Sequence, residues 1–108
     1  MDKIKLDKLN IELTTLRGVP MLDVDGSKPL SFRGALISIC EMHRPKQAGT
    51  GESLRAYDLG GRLLDDKDAL EVSKEELDFL ISITEQTTIW PAIVIGQLVK
   101  YLKVEKTN

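Results

Sequence analysis

Apolar residues follow two different periods along this chain, and the change of period separates an extended N-terminal part from a helical remainder. Between Ile4 and Leu13 they recur mainly two apart, which is the spacing of a strand half buried on a surface. Turn signals at Gly18-Val19-Pro20 and Asp25-Gly26 bracket a further short extended piece. We therefore predict a small β-hairpin or meander over residues 9–30.

Two helices are predicted in the middle of the chain, on either side of an exposed loop at residues 44–51. Ser31 can cap the first, over residues 32–43, because its hydroxyl can accept from an amide of the first turn. The second is predicted over residues 52–65, and its Gly60-Gly61 pair indicates a close helix crossing or a kink. The side chains of this helix predicted to be buried are Leu54, Tyr57, Leu63 and Leu64.

The clearest local signal is the start of a third helix at residue 74. Ser73 and Glu76 match a capping box, and Val72 and Leu77 match a hydrophobic staple. The buried face of this helix is predicted to carry Leu77, Leu80, Ile81 and Thr84. An acidic stretch precedes it and is interpreted as a solvated connection between helices: Asp65, Asp66, Asp68 and Glu71.

A last helix is predicted to begin at about Ile89 or Trp90, with Pro91 in its first turn. Its apolar stripe comprises Trp90, Ile93, Val94, Leu98, Tyr101 and Leu102, and Ile95 and Val99 widen it. Because one neighbour cannot cover so wide a surface, we predict that this helix binds a protein partner or a second copy of the chain. The predicted interface residues are Trp90, Ile95, Val99, Tyr101 and Leu102.

These elements predict an α+β fold, mostly α, in which about four helices pack as a small bundle after the N-terminal hairpin or meander. A chain of 108 residues is long enough for one ordinary core, so a single domain is expected. It would comprise an extended region at 1–30, a helical region at 31–104 and a tail at 105–108. With few aromatic residues available, the core should be largely aliphatic.

Charge and cysteine content bound the cellular setting. A net charge of -2, from 15 basic and 17 acidic residues, gives no global field for nucleic acid or an anionic membrane. The N-terminus lacks the pattern of a signal peptide, and the longest apolar region is interrupted by Gln97, Lys100 and Lys103. The single cysteine, Cys40, lies in an apolar helical stretch and suits a reducing compartment. We expect a cytoplasmic protein.

Several catalytic and ligand-binding motifs fail at defining positions. The segment Gly49–Ser53 has Glu52 where a phosphate-binding loop needs lysine. The segment Asp23–Gly26 resembles an EF-hand loop, but the register places Met21 and Phe32 where acidic ligands are needed. Cys40 and His43 lie three residues apart on a predicted helix, with no third orienting group. No catalytic residue, metal, cofactor or small-molecule substrate is predicted.

Basic residues near the loop and the second helix give an alternative function. They could contact phosphates in a small nucleic-acid-associated regulator, although aromatic residues for base stacking are not interleaved with them. The candidate phosphate contacts are Arg44, Lys46, Arg55 and Arg62.

Several short motifs give the chain a resemblance to a group of known proteins. They are Leu16–Pro20, Asp25–Leu30, Tyr57-Asp58-Leu59, Val72–Leu77 and the helix from Pro91 to Leu102. Together they resemble a pattern found in small uncharacterised proteins of bacteriophages and prophages, from which the Gly60-Gly61 pair departs. The resemblance implies an accessory or virion-assembly role in a bacterial host and carries no active-site residues with it.

Overall fold

Four helices and two short strands form the regular structure of the described residues in the computed structural model, which are 3–22, 26, 28–46, 49, 51–65 and 69–107. Their order along the chain is β1 (Lys3–Leu6), α1 (Phe32–Met42), α2 (Glu52–Asp65), β2 (Leu70–Ser73), α3 (Lys74–Gln86) and α4 (Ala92–Thr107). The predicted class, α+β and mostly α with about four helices, is confirmed.

The two strands pair with each other although the chain between them contains α1 and α2. They are antiparallel, with Lys3 opposite Ser73 and Leu6 opposite Leu70. The region before α3, predicted to be a plain connection between helices, contains β2 instead. The alternation of buried and exposed side chains along β2 is short, because only Leu70 and Val72 point into the core. Asp66 and Asp68 of the acidic stretch lie outside the described residues.

The predicted hairpin or meander at residues 9–30 takes the form of isolated bridges. Leu13, Met21 and Leu30 hydrogen-bond to one another in a closed ring of backbone contacts of 2.7 to 2.9 Å. Gly18 and Gly26, at the two predicted turns, have φ angles of 82° and 73°, a region that favours glycine. The chain therefore folds back twice without long strands. Asp23, Val24 and Asp25 of the calcium-loop comparison lie outside the described residues.

The two helix starts that were predicted from capping residues are confirmed. Ser31 caps α1 by accepting from the Gly34 amide at 3.0 Å. Ser73 accepts from the Glu76 amide at 3.1 Å, and the Glu76 carboxylate accepts from the Ser73 amide at 2.8 Å. These contacts satisfy amide groups that a helix leaves unpaired at its N-terminus. Val72 and Leu77, the predicted staple, are both fully buried.

Helix α4 begins at Ala92, later than predicted, so Ile89 and Trp90 precede it. It continues to Thr107, so the prediction of a tail from residue 105 is wrong for residues 105–107. The residue before a proline is disfavoured in helical backbone, which keeps Trp90 out of the helix. The Pro91 carbonyl accepts from the amides of Val94 and Ile95 and so opens the first turn. Within the described part of the chain, no helix is both long enough and apolar enough to cross a bilayer.

The buried side chains form one cluster, which is largely aliphatic as predicted. Helix α1 is central, because α2, α3 and α4 all pack against it. The main aromatic contribution is a pair formed by Phe32 and Tyr101, whose ring centroids are 5.2 Å apart. The Tyr101 hydroxyl accepts from the Lys8 amide at 3.1 Å, which ties α4 to the segment after β1. The predicted α3 face of Leu77, Leu80, Ile81 and Thr84 is buried.

Candidate interaction surface

Helix α2 has two apolar faces, and the one with the larger side chains is turned to solvent. Its bounds match the prediction, but only Leu63 of the four residues predicted to be buried lies in the core. Leu54, Tyr57 and Leu64 are 73%, 82% and 71% exposed, so their predicted burial is wrong. The buried face is made instead by Ala56, Leu59, Gly60 and Leu63.

The close approach of α1 explains this choice of face. A Cβ atom at Gly60 would lie 3.2 Å from the Cβ of Cys40, which is tighter than normal packing. A helix can approach this closely only where the facing residues are small, and Ala56 and Gly60 provide that surface. The close crossing predicted from the glycine pair is therefore confirmed at Gly60. Gly61 faces outward, with nothing within 4 Å of a built Cβ.

Four outward residues of α2 define a surface that we call the α2 seam: Leu54, Tyr57, Gly61 and Leu64. They are spaced three, four and three residues apart, so they lie along one side of the helix. A groove of about 650 Å³ between α1 and α2 borders the seam. Its lining includes Ile37 and Glu41 from α1 and Tyr57, Gly61 and Leu64 from α2. The seam and the groove together form a partly apolar surface with a concave region.

Ion pairs hold α2 against the start of α3. The Arg62 guanidinium lies 2.6 Å from the Glu76 carboxylate and 3.7 Å from that of Asp58, and it donates to the Glu71 carbonyl. Burial by itself would raise the pKa of Glu76, but hydrogen bonds from Ser73 and Arg62 and the charge of Arg62 hold the pKa below its ordinary value. The helix that carries the seam is thus fixed at its C-terminal half.

The interface predicted on α4 is mostly used within the fold. Leu102 is fully buried and Tyr101 is 8% exposed, so both residues belong to the core and their predicted place in an interface is wrong. Trp90, Ile95 and Val99 are each partly buried. Three elements of the same chain, α3, α1 and β1, pack against α4. The wide apolar surface of this helix therefore needs no second molecule to cover most of it.

The four candidate phosphate contacts have different surroundings. Arg44 and Lys46 are exposed and line a hollow of about 310 Å³ near the C-terminal ends of α1 and α3. Arg55 lies over the Phe79 ring, 5.7 Å from its centroid. Arg62 is held by the acidic groups at the start of α3. Arg44 and Lys46 therefore line the same hollow, whereas Arg62 is already bound to acidic groups.

Cys40 and His43 are in environments that suit packing. Burial, reinforced by the charge of Glu41, raises the pKa of the Cys40 thiol to about 12, which disfavours the nucleophilic thiolate. The His43 Nε2 lies 2.9 Å from Glu52 Oε1, and its ring packs edge-on to Phe79. Among the residues placed by the structure, no three His, Cys, Asp or Glu side chains converge as a metal site would require.

The α2 seam was present in the sequence as a second set of apolar residues. Leu54, Tyr57 and Leu64 share one side of the helix, whereas Ala56, Leu59 and Leu63 share another. The first set has the larger side chains and was therefore predicted to be buried. The helix instead packs through the second set, because the small residues beside Leu59 allow α1 to approach closely. The useful signal was the pairing of a small-residue face with a large-residue face on one helix.

No family model, curated protein or solved structure matches this chain.

Proposed function

We propose that this chain is a protein–protein interaction protein with an assembly or accessory role of the phage type, and that it acts without catalysing a reaction. The observation that carries this proposal is the α2 seam. Its three large apolar side chains are each more than 70% exposed on one side of a helix. Exposed apolar residues are ordinary when scattered, but a contiguous group beside a groove is typical of binding surfaces.

The composition and support of the seam favour a protein partner. Tyrosine is enriched among residues that dominate binding energy, because its ring supplies area with little conformational freedom to lose. Tyr57 lies in the middle of the seam, with Leu54 on one side and Leu64 on the other. The helix beneath is held by the close contact at Gly60 and by the Arg62–Glu76 ion pair. A partner would therefore meet a surface that is already ordered.

Site-specific photo-crosslinking in cells that make the protein tests this proposal. A photoreactive phenylalanine analogue replaces Tyr57 in one variant and Leu54 in another, and both should give a discrete adduct with protein. The matched control carries the probe at Lys100, an exposed residue of α4. A fourth variant carries it at Val99, on the surface predicted from the sequence.

The outcomes separate the two surfaces. Adducts at Tyr57 and Leu54, with none at Lys100, support the seam as the binding surface. An adduct at Val99 alone would return the interface to α4 and contradict the assignment to α2. Absence of adducts at both seam positions, in variants that retain the circular dichroism of the native chain, would overturn the proposed function.

A further inference from the structure

The order of residues in the α2 seam is self-complementary when the helix is reversed. Leu54 and Leu64 each lie five residues from Leu59, and Tyr57 and Gly61 each lie two residues from it. A two-fold axis at the level of Leu59 would therefore set Leu54 of one helix beside Leu64 of another. The same axis would set each Tyr57 beside a Gly61. A closed dimer needs this kind of surface, because both copies contribute the same patch.

Deepening the proposed function, on which this inference rests, we propose that the partner of the α2 seam is the α2 seam of a second copy, packed antiparallel. Tyr57 of each copy lies over Gly61 of the other. Gly61 leaves the necessary room, because nothing lies within 4 Å of a Cβ built there. Large residues opposite small ones allow two helices to approach closely and fill the space between them.

The charges beside the seam fit the same arrangement. At 1.5 Å per residue, Arg62 of one copy lies about 3 Å along the axis from Asp58 of the other. Within one chain these two side chains already form an ion pair at 3.7 Å. Asp65 and Glu41 line the groove as well, so the two arginines would lie among acidic groups of both copies.

The available area is that of a weak dimer. Tyr57, as an aromatic residue, can bury about 150 to 250 Å², and with the two leucines the seam offers roughly 400 Å² on each copy. Two copies would bury roughly 800 Å² before the groove walls are counted, and specific interfaces begin near about 1,200 Å². Ile37 and Glu41, which line the adjoining groove, would add to this area. We expect association that depends on concentration.

Analytical ultracentrifugation of the purified full chain over about 1 to 500 µM is the first test. The native protein should pass from monomer to dimer. Tyr57→Ala and Gly61→Gln should each weaken the dimer at least about 30-fold, because the first removes the central ring and the second fills its space. Leu16→Ala is the matched control, since Leu16 is 93% exposed elsewhere on the chain. A dimer insensitive to Tyr57→Ala would overturn the inference.

Engineered disulfides test the orientation. In the antiparallel dimer, the two copies of residue 54 lie about 15 Å apart along the axis, beyond the reach of a disulfide, whereas residues 54 and 64 lie side by side. Leu54→Cys/Leu64→Cys should therefore oxidise to a covalent dimer, and neither single variant should. Equal dimer yield from a single variant would contradict the proposed register.

Self-association and partner binding fail in distinguishable ways. If the purified chain is monomeric at every concentration while the Tyr57 probe forms an adduct with another protein in cells, the homodimer is wrong and the proposed function stands. If the protein is monomeric and the seam probes give no adduct, both are wrong.

Discussion

Gly60 and Gly61 offer a controlled test of the packing that turns the seam outward. Both lie inside α2, where replacing glycine by alanine gains about 1 kcal/mol in helix propensity. They differ in surroundings, since a Cβ at residue 60 would lie 3.2 Å from the Cys40 Cβ and one at residue 61 would have nothing within 4 Å. Overpacking a filled core costs about 1 to 3 kcal/mol. We therefore expect Gly61→Ala to stabilise the fold by about 1 kcal/mol and Gly60→Ala to leave it unchanged or less stable by up to about 2 kcal/mol.

Urea unfolding at low protein concentration, where self-association contributes little, measures both variants. Circular dichroism follows the helices, and the fluorescence of Trp90, the single tryptophan, follows the core. Near the transition, 1 kcal/mol corresponds to about 4 °C in Tm for a domain of this size. Equal stabilisation by the two substitutions would refute the close crossing at Gly60. It would also remove the reason for placing Leu54 and Tyr57 on the outside.

Other predictions concern the helix cap, the ion pair, the thiol and the basic residues. Ser73→Ala should lower the free energy of unfolding by about 1 kcal/mol in urea, because it removes the acceptor for the Glu76 amide. Because the pKa of Glu76 is lowered in the folded state, its contribution to stability is present at neutral pH and is lost as pH falls through that pKa. Glu76→Gln should therefore flatten the acidic part of the pH–stability curve. An unchanged curve would contradict the role given to this ion pair. A pKa of about 12 in place of 9.0 lowers the thiolate fraction of Cys40 at pH 8 about a thousandfold. A thiol reagent should therefore label the native chain far more slowly than the denatured chain. Comparable rates would show that the thiol is accessible. DNA and RNA should show no salt-dependent binding, because the net charge is -2 and Arg62 is already bound to acidic groups. Tight binding at low salt that Arg44→Glu and Lys46→Glu each abolish would restore the nucleic-acid alternative.

Local signals in the sequence predicted most of the helices accurately. The Ser31 cap and the Ser73–Glu76 capping box fixed the starts of α1 and α3, because these contacts join residues only three apart. Helix α2 has the predicted bounds of 52–65, which followed from the proline- and glycine-containing loop at residues 44–51. Strand β2 was missed because its partner, β1, precedes it by more than half of the chain, with α1 and α2 in between. Four residues with two apolar positions give too weak a pattern on their own.

The sequence by itself determined where the capped helices α1 and α3 begin, which residues are apolar and that the reactive groups are few. Tertiary structure decided which apolar face each helix buries. The apolar surface of α4 was predicted to be too wide for one neighbour to cover. In the structure three elements pack against it, and Tyr101 and Leu102 are buried in the core. For α2, the approach of Cys40 to Gly60 selected the small-residue face and left Tyr57 outside. The physical reason is that periodicity measures the chemistry along one helix, whereas burial depends on how closely another element can approach it.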